Sequence, residues 1–281
     1  MPLRWRPDGD YVRDLSRIRR IMPFIMRKRN ESTVFFEQKL DMSKTLTFLQ
    51  EFRERTGLHA TMLHLLIYAS AQMLRERPYL NRIVAGGRIF QRRGIWVSFS
   101  AKKRKTEDAP IVLVKREVDP SWSFEELVQQ IEGGISEGRS DKPSTTDTEL
   151  SLIFKLPNLL VRWLVWLLMK LDHWGLLPGA YIKKDPLFAS IFIVNLGSID
   201  LDAGFHHLYE YGNIPMLIMA GRSKEEVAVG PDGKPEVRSM MTLRYSFDER
   251  IEDGFYGARA LEIMKKIIEN PASYLLKGVW G

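Results

Sequence analysis

The segment Ser246-Phe-Asp-Glu-Arg-Ile-Glu-Asp-Gly254, near the C-terminus, constrains the fold of this chain more than any other segment. The apolar pattern over residues 241–247 predicts a strand that runs into this acidic turn. A helical pattern over residues 256–268 follows directly. The chemistry of the protein therefore depends largely on what the turn carries, and above all on Glu249.

The rest of the chain alternates strands and helices irregularly. Strands are predicted at residues 34–40, 88–90, 95–100, 111–114, 191–194, 215–220, 235–238 and 241–247. Helices are predicted at residues 15–29, where Pro23 should break or kink the helix, from about residue 43 to Gly57, and at 59–77 and 124–131. Residues 133–150, rich in Gly, Ser, Thr and Asp, are expected to form an exposed loop. This order favours one mixed α/β domain over a doubly wound parallel sheet.

Basic residues are concentrated at the N-terminus. Residues 1–30 contain nine Lys and Arg against three Asp, in a chain with a net charge of +7. Such an arm could meet nucleic acid, anionic lipid or a phosphorylated cofactor, but a solvated helix face with intersubunit ion pairs is the favoured interpretation. Cysteine is absent, which excludes disulfides, thiolate metal sites and a Cys nucleophile. No signal peptide is visible, and a cytoplasmic location is expected.

Six segments, taken in order, resemble one known family. They are residues 19–27, 36–44, 65–81, 194–197, 213–222 and 246–254. The last is similar to Ser-x-Asp-His-Arg-x-x-Asp-Gly in the catalytic domain of the dihydrolipoyl acyltransferase components of 2-oxoacid dehydrogenase complexes. The resemblance implies the α/β (α+β) fold of chloramphenicol acetyltransferase, a mixed sheet covered by helices in a single domain. It assigns residues 1–30 to a basic arm or helix and residues 31–281 to the domain, with a Leu/Trp-rich insertion at about 145–185.

The resemblance also implies an activity. Members of the family transfer an acyl group between coenzyme A and a thiol or hydroxyl acceptor, with a His as base and a hydroxyl group at the oxyanion. They form trimers with the active site between subunits. Here Glu249 stands at the position of the His and Val194 at that of the hydroxyl residue, while Asp253 is kept. Coenzyme A as a substrate, no metal and a homotrimer are therefore expected.

Three accounts of the altered site are open. In the first, Glu249 is the base, which requires burial because a carboxylate is a weaker base than imidazole at neutral pH. In the second, His206 or His207 is the base, although a structural role for these two residues is favoured. The hydroxyl group would then come from Tyr209, Tyr211 or Ser198. In the third, the chemistry is lost and a trimeric binding or scaffold protein is left.

The insertion is rich in Leu and Trp. It is too short, and too interrupted by Arg162 and Lys170, to span a bilayer. Completing the core or a trimer contact, or capping the channel as an acyl pocket, is the favoured use of its apolar stripe. Its members are Trp163, Trp166, Leu167, Leu171 and Trp174. Binding to a membrane surface, aided by basic residues that include Lys183 and Lys184, is possible but not favoured.

The predicted function is that of a stand-alone, CoA-dependent acyltransferase with a small-molecule acceptor of unknown identity. No lipoyl domain fits in front of residue 15, so tethered lipoyl transfer is not expected. The alternative is a catalytically inactive trimeric protein of the same fold. A nucleic-acid partner rests on charge alone and is not expected.

Overall fold

The computed structural model describes residues 4–102, 111–139, 153, 155–230 and 232–275. Its strands are β1 Trp5–Arg6, β2 Gly9–Tyr11, β3 Thr33–Asp41, β4 Arg82–Ala85, β5 Arg88–Arg92, β6 Trp96–Lys102, β7 Ile111–Glu117, β8 Ile191–Asn195, β9 Met216–Val229 and β10 Pro235–Asp248. Its helices are α1 Arg17–Ile25, α2 Ser43–Thr56, α3 Met62–Glu76, α4 Phe124–Arg139, α5 Asn158–Trp174, α6 Gly179–Lys184, α7 Gly254–Glu269 and α8 Pro271–Leu275.

A six-stranded mixed sheet, in the order β3-β10-β9-β8-β6-β7, forms the centre of the protein. Strand β10 is antiparallel to both of its neighbours, β3 and β9, whereas β8 runs parallel to both β9 and β6. The two strands predicted at 235–238 and 241–247 are one strand, β10, with a register shift between Met241 and Leu243. The end of β10 is held on both sides, because Asp248 pairs with Thr33 and Phe247 with Met216. This fixes the start of the acidic turn.

Helices cover one face of this sheet. Residues of α2, α3, α4 and α7 pack with the inward side chains of the strands into the main hydrophobic core. Tyr245 and Phe247 of β10 belong to that core. Since side chains alternate along a strand, Ser246 and Asp248 lie on the opposite face, where the segment 200–215 packs. The fold is thus a mixed sheet covered by helices, as predicted.

The N-terminal arm is part of the fold. Strands β1 and β2 join β5 and β4 in a second, four-stranded antiparallel sheet, which the sequence did not predict. Arg6 is 1% exposed and forms ion pairs with Asp8 at 2.9 Å and Asp172 at 2.8 Å. Arg29 is 7% exposed. The interpretation of the arm as a solvated basic face is therefore wrong for Arg6 and Arg29.

Three further segments differ from the prediction. Pro23 lies inside α1 without breaking it, and the helix ends two residues later at Ile25. Helix α4 continues to Arg139, through part of the expected loop, whereas residues 140–150 lie outside the described residues. Helix α5 has no buried residue, so the prediction that the insertion completes the core is wrong within one chain. Within the part of the chain described here, no helix is long and apolar enough to cross a membrane.

His64 is fully buried at the start of α3. Its Nδ1 accepts a hydrogen bond from the main-chain N–H of Thr61 at 3.1 Å, and Glu132 Oε1 lies 3.4 Å from its Nε2. Burial, with smaller contributions from the charges of His59 and Arg53, lowers the pKa of His64 to about 4. The carboxylate of Glu132 favours the protonated form of His64, but that side chain is 38% exposed and screened by water. Burial therefore determines that the pKa of His64 is lowered.

We expect His64 to make the protein less stable as the pH falls from 6.5 to 4. In that range the unfolded state binds a proton at His64 that the folded state excludes, so the free energy of unfolding decreases, by about 3 kcal/mol at the lower end. Urea denaturation near neutral pH and near pH 4 measures the loss. The free energy of unfolding of His64→Gln should fall less between these two pH values than that of the wild type. His173→Gln, which replaces an exposed histidine, should show the same fall as the wild type. Equal pH dependence in wild type and His64→Gln would contradict the assignment.

Candidate active site

Glu249 is the first residue after β10, and its main chain is fixed. Its N–H donates to Ser32 O at 2.9 Å, and Arg19 Nη1 donates to its carbonyl oxygen at 2.7 Å. The residue is half-buried. Among the described residues, none forms a hydrogen bond or an ion pair with its carboxylate. The turn therefore presents a positioned carboxylate that is free to accept a proton or a donor from a ligand.

The residues on either side of Glu249 form a buried ion pair. Arg250 Nε and Nη2 donate to the two carboxylate oxygens of Asp248 at 2.8 and 2.7 Å, and Arg250 N donates to Asp248 Oδ1 at 3.1 Å. Arg250 Nη1 also reaches the carbonyl oxygens of Met26 and Arg27 at 3.3 and 3.4 Å. The pair thus closes the turn on itself and ties it to the chain that follows α1.

Asp253, a predicted site residue, is the N-cap of α7. Its Oδ1 accepts from Tyr256 N at 2.9 Å, and the side chain is 61% exposed. Arg19 Nη2 lies 4.0 Å from its Oδ2 and 3.5 Å from Glu252 Oε1. Arg82 Nη1 donates to Glu252 Oε2 at 2.8 Å. These contacts give Asp253 a structural role in starting the helix and anchor the acidic turn through two arginines.

His206 and His207 lie on the sheet face that carries Ser246. Ser246 lies three residues before Glu249 in the chain, and its hydroxyl group donates to the carbonyl oxygen of His206. His206 Nδ1 lies 2.6 Å from His207 O, and His207 Nδ1 lies 3.1 Å from Leu208 O. Because a carbonyl oxygen can only accept, each Nδ1 donates in this arrangement, and Nε2 is the ring nitrogen that faces no such acceptor. Nε2 is therefore the atom through which either ring would contact an acceptor.

The three hydroxyl groups considered from the sequence have different surroundings. Tyr211 donates to Asp185 Oδ2 at 2.6 Å, and its hydroxyl oxygen lies 2.5 Å from that of Tyr181. Ser198 donates to Asn195 O at 2.8 Å. The ring of Tyr209 lies 5.1 Å from that of His206, between centroids. The structure therefore brings Tyr209 next to His206 and uses Tyr211 and Ser198 in other contacts.

Val194 is far from Glu249 within one chain. It pairs with Met219 of β9, which pairs with Arg244 of β10. Glu249 lies five residues beyond Arg244. Five residues of strand and two strand spacings place the two Cα atoms on the order of 19 Å apart. Within one chain these two positions are therefore too far apart for both side chains to contact the same reacting atoms.

A cavity of about 670 Å³ reaches Arg250. It lies between α1, the β4–β5 hairpin and α5, and Arg29, Phe24, His173 and Tyr211 line it. Arg29 Nη1 donates to Ile214 O at 3.1 Å. Burial lowers the pKa of Arg29, with Asp248 opposing the change. In the described part of the chain, no group of three or more His, Asp or Glu residues could hold a metal ion.

The N-terminal arginines have contacts that the sequence did not predict. Arg19 contacts the main chain of Glu249 and the side chain of Glu252, and Arg29 lines the cavity beside Arg250. The available signal was charge complementarity between the basic segment 17–29 and the acidic turn 248–253. That signal could not separate solvated charges from paired ones, because the two segments lie over 200 residues apart.

Comparisons with known proteins find a similar domain that includes the acidic turn. Residues 187–276 match the family model described as 2-oxoacid dehydrogenases acyltransferase (catalytic domain). The dihydrolipoyllysine-residue succinyltransferase components of the 2-oxoglutarate dehydrogenase complex from Rickettsia conorii and Rickettsia felis are each 46% identical over 65 residues. That segment is 23% of this chain and only 16% of the length of each relative.

Solved structures extend the likeness to nearly the whole chain. A probable dihydrolipoamide acetyltransferase from Listeria monocytogenes has a TM-score of 0.61 at 16% identity, covering 93% of this chain and 95% of that one. The cubic core of a pyruvate dehydrogenase complex has a TM-score of 0.59 at 16% identity, and the match covers 95% of each chain. A chloramphenicol acetyltransferase has a TM-score of 0.54 at 13% identity, and the match covers 96% of this chain and 99% of that one. Residues 187–276 are thus similar to the catalytic domain of the 2-oxoacid dehydrogenase acyltransferases, and the chain has the chloramphenicol acetyltransferase-like fold.

Proposed function

We propose that this protein is an acyltransferase that moves an acyl group from an acyl-CoA thioester to a thiol or hydroxyl acceptor, with Glu249 as the base. The observation that carries the proposal is the environment of Glu249. Ser32 and Arg19 hold its main chain at the end of β10, and its carboxylate has no partner among the described residues. The match to the acyltransferase family model includes this turn.

In the proposed reaction, the Glu249 carboxylate takes the proton from the acceptor S–H or O–H while the acceptor attacks the thioester carbonyl carbon. A bond forms between the acceptor and that carbon, giving a tetrahedral oxyanion. Its collapse breaks the carbon–sulfur bond to coenzyme A, and the leaving sulfur takes the proton back from Glu249. The products are the acylated acceptor and free coenzyme A, and the carboxylate is regenerated.

The proposal includes an assembly of several copies, with a homotrimer as the specific form. Glu249 and Val194 are on the order of 19 Å apart in one chain, so a site that uses both positions needs two subunits. The likeness to the cubic core of a pyruvate dehydrogenase complex supports such an assembly. Val194 has no hydrogen-bond donor in its side chain, so another group has to stabilise the oxyanion.

The relatives suggest which acceptor to test first. Two of them are named dihydrolipoyllysine-residue succinyltransferase components, and a structural relative is a probable dihydrolipoamide acetyltransferase. Dihydrolipoamide is therefore the first acceptor to try, with succinyl-CoA and acetyl-CoA as donors. Small alcohols extend the panel to hydroxyl acceptors.

Turnover of this panel tests the proposal. A dithiol acceptor consumes one thiol for each coenzyme A released, so the total thiol content does not change and chromatographic separation of acyl-CoA from CoA is the suitable readout. We expect CoA to form faster than in the same mixture without protein. No acceleration with any donor and acceptor would contradict the proposal, whether or not calorimetry detects CoA binding.

A catalytically inactive binding protein of the same fold is the second candidate. The observation that favours it is the loss of both chemical groups of the family, with Glu249 and Val194 at their positions. It predicts binding of CoA or an acceptor without turnover. The same panel separates the two candidates, because calorimetry reports binding and chromatography reports chemistry.

A further inference from the structure

Helix α5 exposes an apolar surface to solvent. Its inner side, with Leu168 and Leu171, packs on the small cluster of Leu177, Ile182 and Phe188. Its outer side is large, aromatic and exposed: Leu159 is 75% exposed, Trp163 57% and Trp166 53%. The other exposed apolar residues of this surface are Leu160, Val165, Met169, Trp174 and Leu176. We call this the α5 surface.

Trp5 extends the α5 surface at its C-terminal end. The Trp5 side chain is 59% exposed, and its main chain lies against Gly175, the residue that ends α5. The Arg6–Asp172 ion pair fastens β1 to the helix at the same place. With Trp163, Trp166 and Trp174, four of the seven tryptophans of the chain therefore lie exposed on or beside one helix. Large exposed apolar patches of this kind mark interaction sites.

The charges of the α5 surface have one sign. Arg162 and Lys170 are exposed on the helix, and Lys170 Nζ lies 5.7 Å from the ring centroid of Trp166. Lys183 and Lys184 follow on α6. The only acidic residue of α5 is Asp172, and Arg6 neutralises it at 2.8 Å. The surface is thus apolar and aromatic with a positive charge that no acid on α5 offsets.

This chemistry selects among the possible occupants. Two copies packed through the same face about a two-fold axis would bring Arg162 and Lys170 of each copy towards the same residues of the other, and like charges oppose that contact. A bilayer with anionic headgroups offers the opposite charge. Trp and Leu side chains enter the boundary between headgroups and acyl chains, while Lys and Arg reach the headgroups.

We propose that the protein binds the surface of anionic membranes through the α5 surface, with the helix lying in the plane of the interface. Trp163, Trp166 and Leu159 enter the interface, and Arg162 and Lys170 bind phosphate groups of the lipid. The binding does not depend on the acyltransferase activity proposed for Glu249.

Vesicle flotation with the full chain tests this inference. Vesicles of phosphatidylcholine alone are compared with vesicles that contain an equimolar amount of phosphatidylglycerol. We expect the protein to float mainly with the anionic vesicles, and more salt to reduce the bound fraction because ion screening weakens the attraction. No binding to anionic vesicles at low salt would overturn the inference.

Three double variants locate the contact. Trp163→Ser with Trp166→Ser should weaken binding by about tenfold or more, because both buried aromatic surfaces are removed. Arg162→Glu with Lys170→Glu should remove the preference for anionic lipid. The matched control is Val227→Ser with Val229→Ser, which removes two exposed apolar residues of β9 and should bind like the wild type. Wild-type binding by both α5 variants, or reduced binding by the control, would overturn the inference.

Sedimentation velocity and circular dichroism complete the test. Circular dichroism shows that each variant is folded, so that lost binding reports the surface and not unfolding. If the Trp163→Ser, Trp166→Ser variant has a smaller mass than the wild type and the wild type does not bind vesicles, a second copy covers the surface and the inference is wrong. An unchanged mass with lost vesicle binding supports it.

Discussion

Replacing Arg250 with Met should lower the free energy of unfolding by about 3–5 kcal/mol, since removing one partner leaves a buried charge uncompensated. Asp248 is 1% exposed, and both of its carboxylate oxygens accept from Arg250. The methionine keeps most of the apolar stem but none of the hydrogen bonds, including those to Met26 O and Arg27 O. Urea denaturation measures the loss.

Arg222 provides the matched control for Arg250. It pairs with Asp200 and Asp202 at 3.3 and 3.2 Å, but these side chains are well exposed to water. Arg222→Met should therefore cost less than about 1 kcal/mol. The double variant Asp248→Asn, Arg250→Met should cost less than the sum of the single variants, because no isolated charge is left. Equal costs for Arg250→Met and Arg222→Met would show that the pair does not hold the turn.

Much of the fold could be predicted because its signals are local. The Ser123–Glu126 capping box is present: Ser123 N donates to Glu126 Oε2 at 2.7 Å, and Glu126 N donates to Ser123 Oγ at 3.2 Å. Gly57 ends α2 in the left-handed conformation, with φ of 72°. The apolar segments around Ile191 and Leu243 are buried strands in the main sheet.

The unpredicted parts depend on distant contacts. Strands β1 and β2 are short, and β2 forms because β5, about 80 residues later in the chain, supplies its hydrogen-bond partners, while β1 pairs with β2. The apolar stripe of α5 predicted burial, but only its inner side, with Leu171, packs on a small apolar cluster, and the tryptophans of the helix are exposed in the described part of the chain. Asp253 was predicted from resemblance as a site residue, and only the structure shows that it caps α7.

Replacing Glu249 with Gln should lower the rate of acyl transfer by about 10²–10⁴-fold, the contribution of a positioned general base. The amide has nearly the same shape as the carboxylate but cannot take a proton. Stability should change little, because the contacts of Glu249 with Ser32 and Arg19 use its main chain. A lower rate of acyl transfer with an unchanged free energy of unfolding would show that the carboxylate takes part in the reaction.

Variants of the two histidines separate the competing accounts of the base. His206→Ala and His207→Ala should each keep the rate within about tenfold of the wild type if Glu249 is the base. If either histidine variant loses more activity than Glu249→Gln, the base is a histidine and Glu249 has another role. Glu225→Gln, an exposed carboxylate on β9, serves as the control for a general effect of charge.

The most direct test of the central claim is the rate of CoA formation from succinyl-CoA and dihydrolipoamide, measured by chromatography for the wild type and Glu249→Gln side by side. The account predicts that the wild type accelerates CoA formation and that Glu249→Gln loses nearly all of this acceleration while remaining folded. Equal rates for the two proteins, whether fast or no faster than the mixture without protein, would contradict Glu249 as the base of this acyltransferase fold.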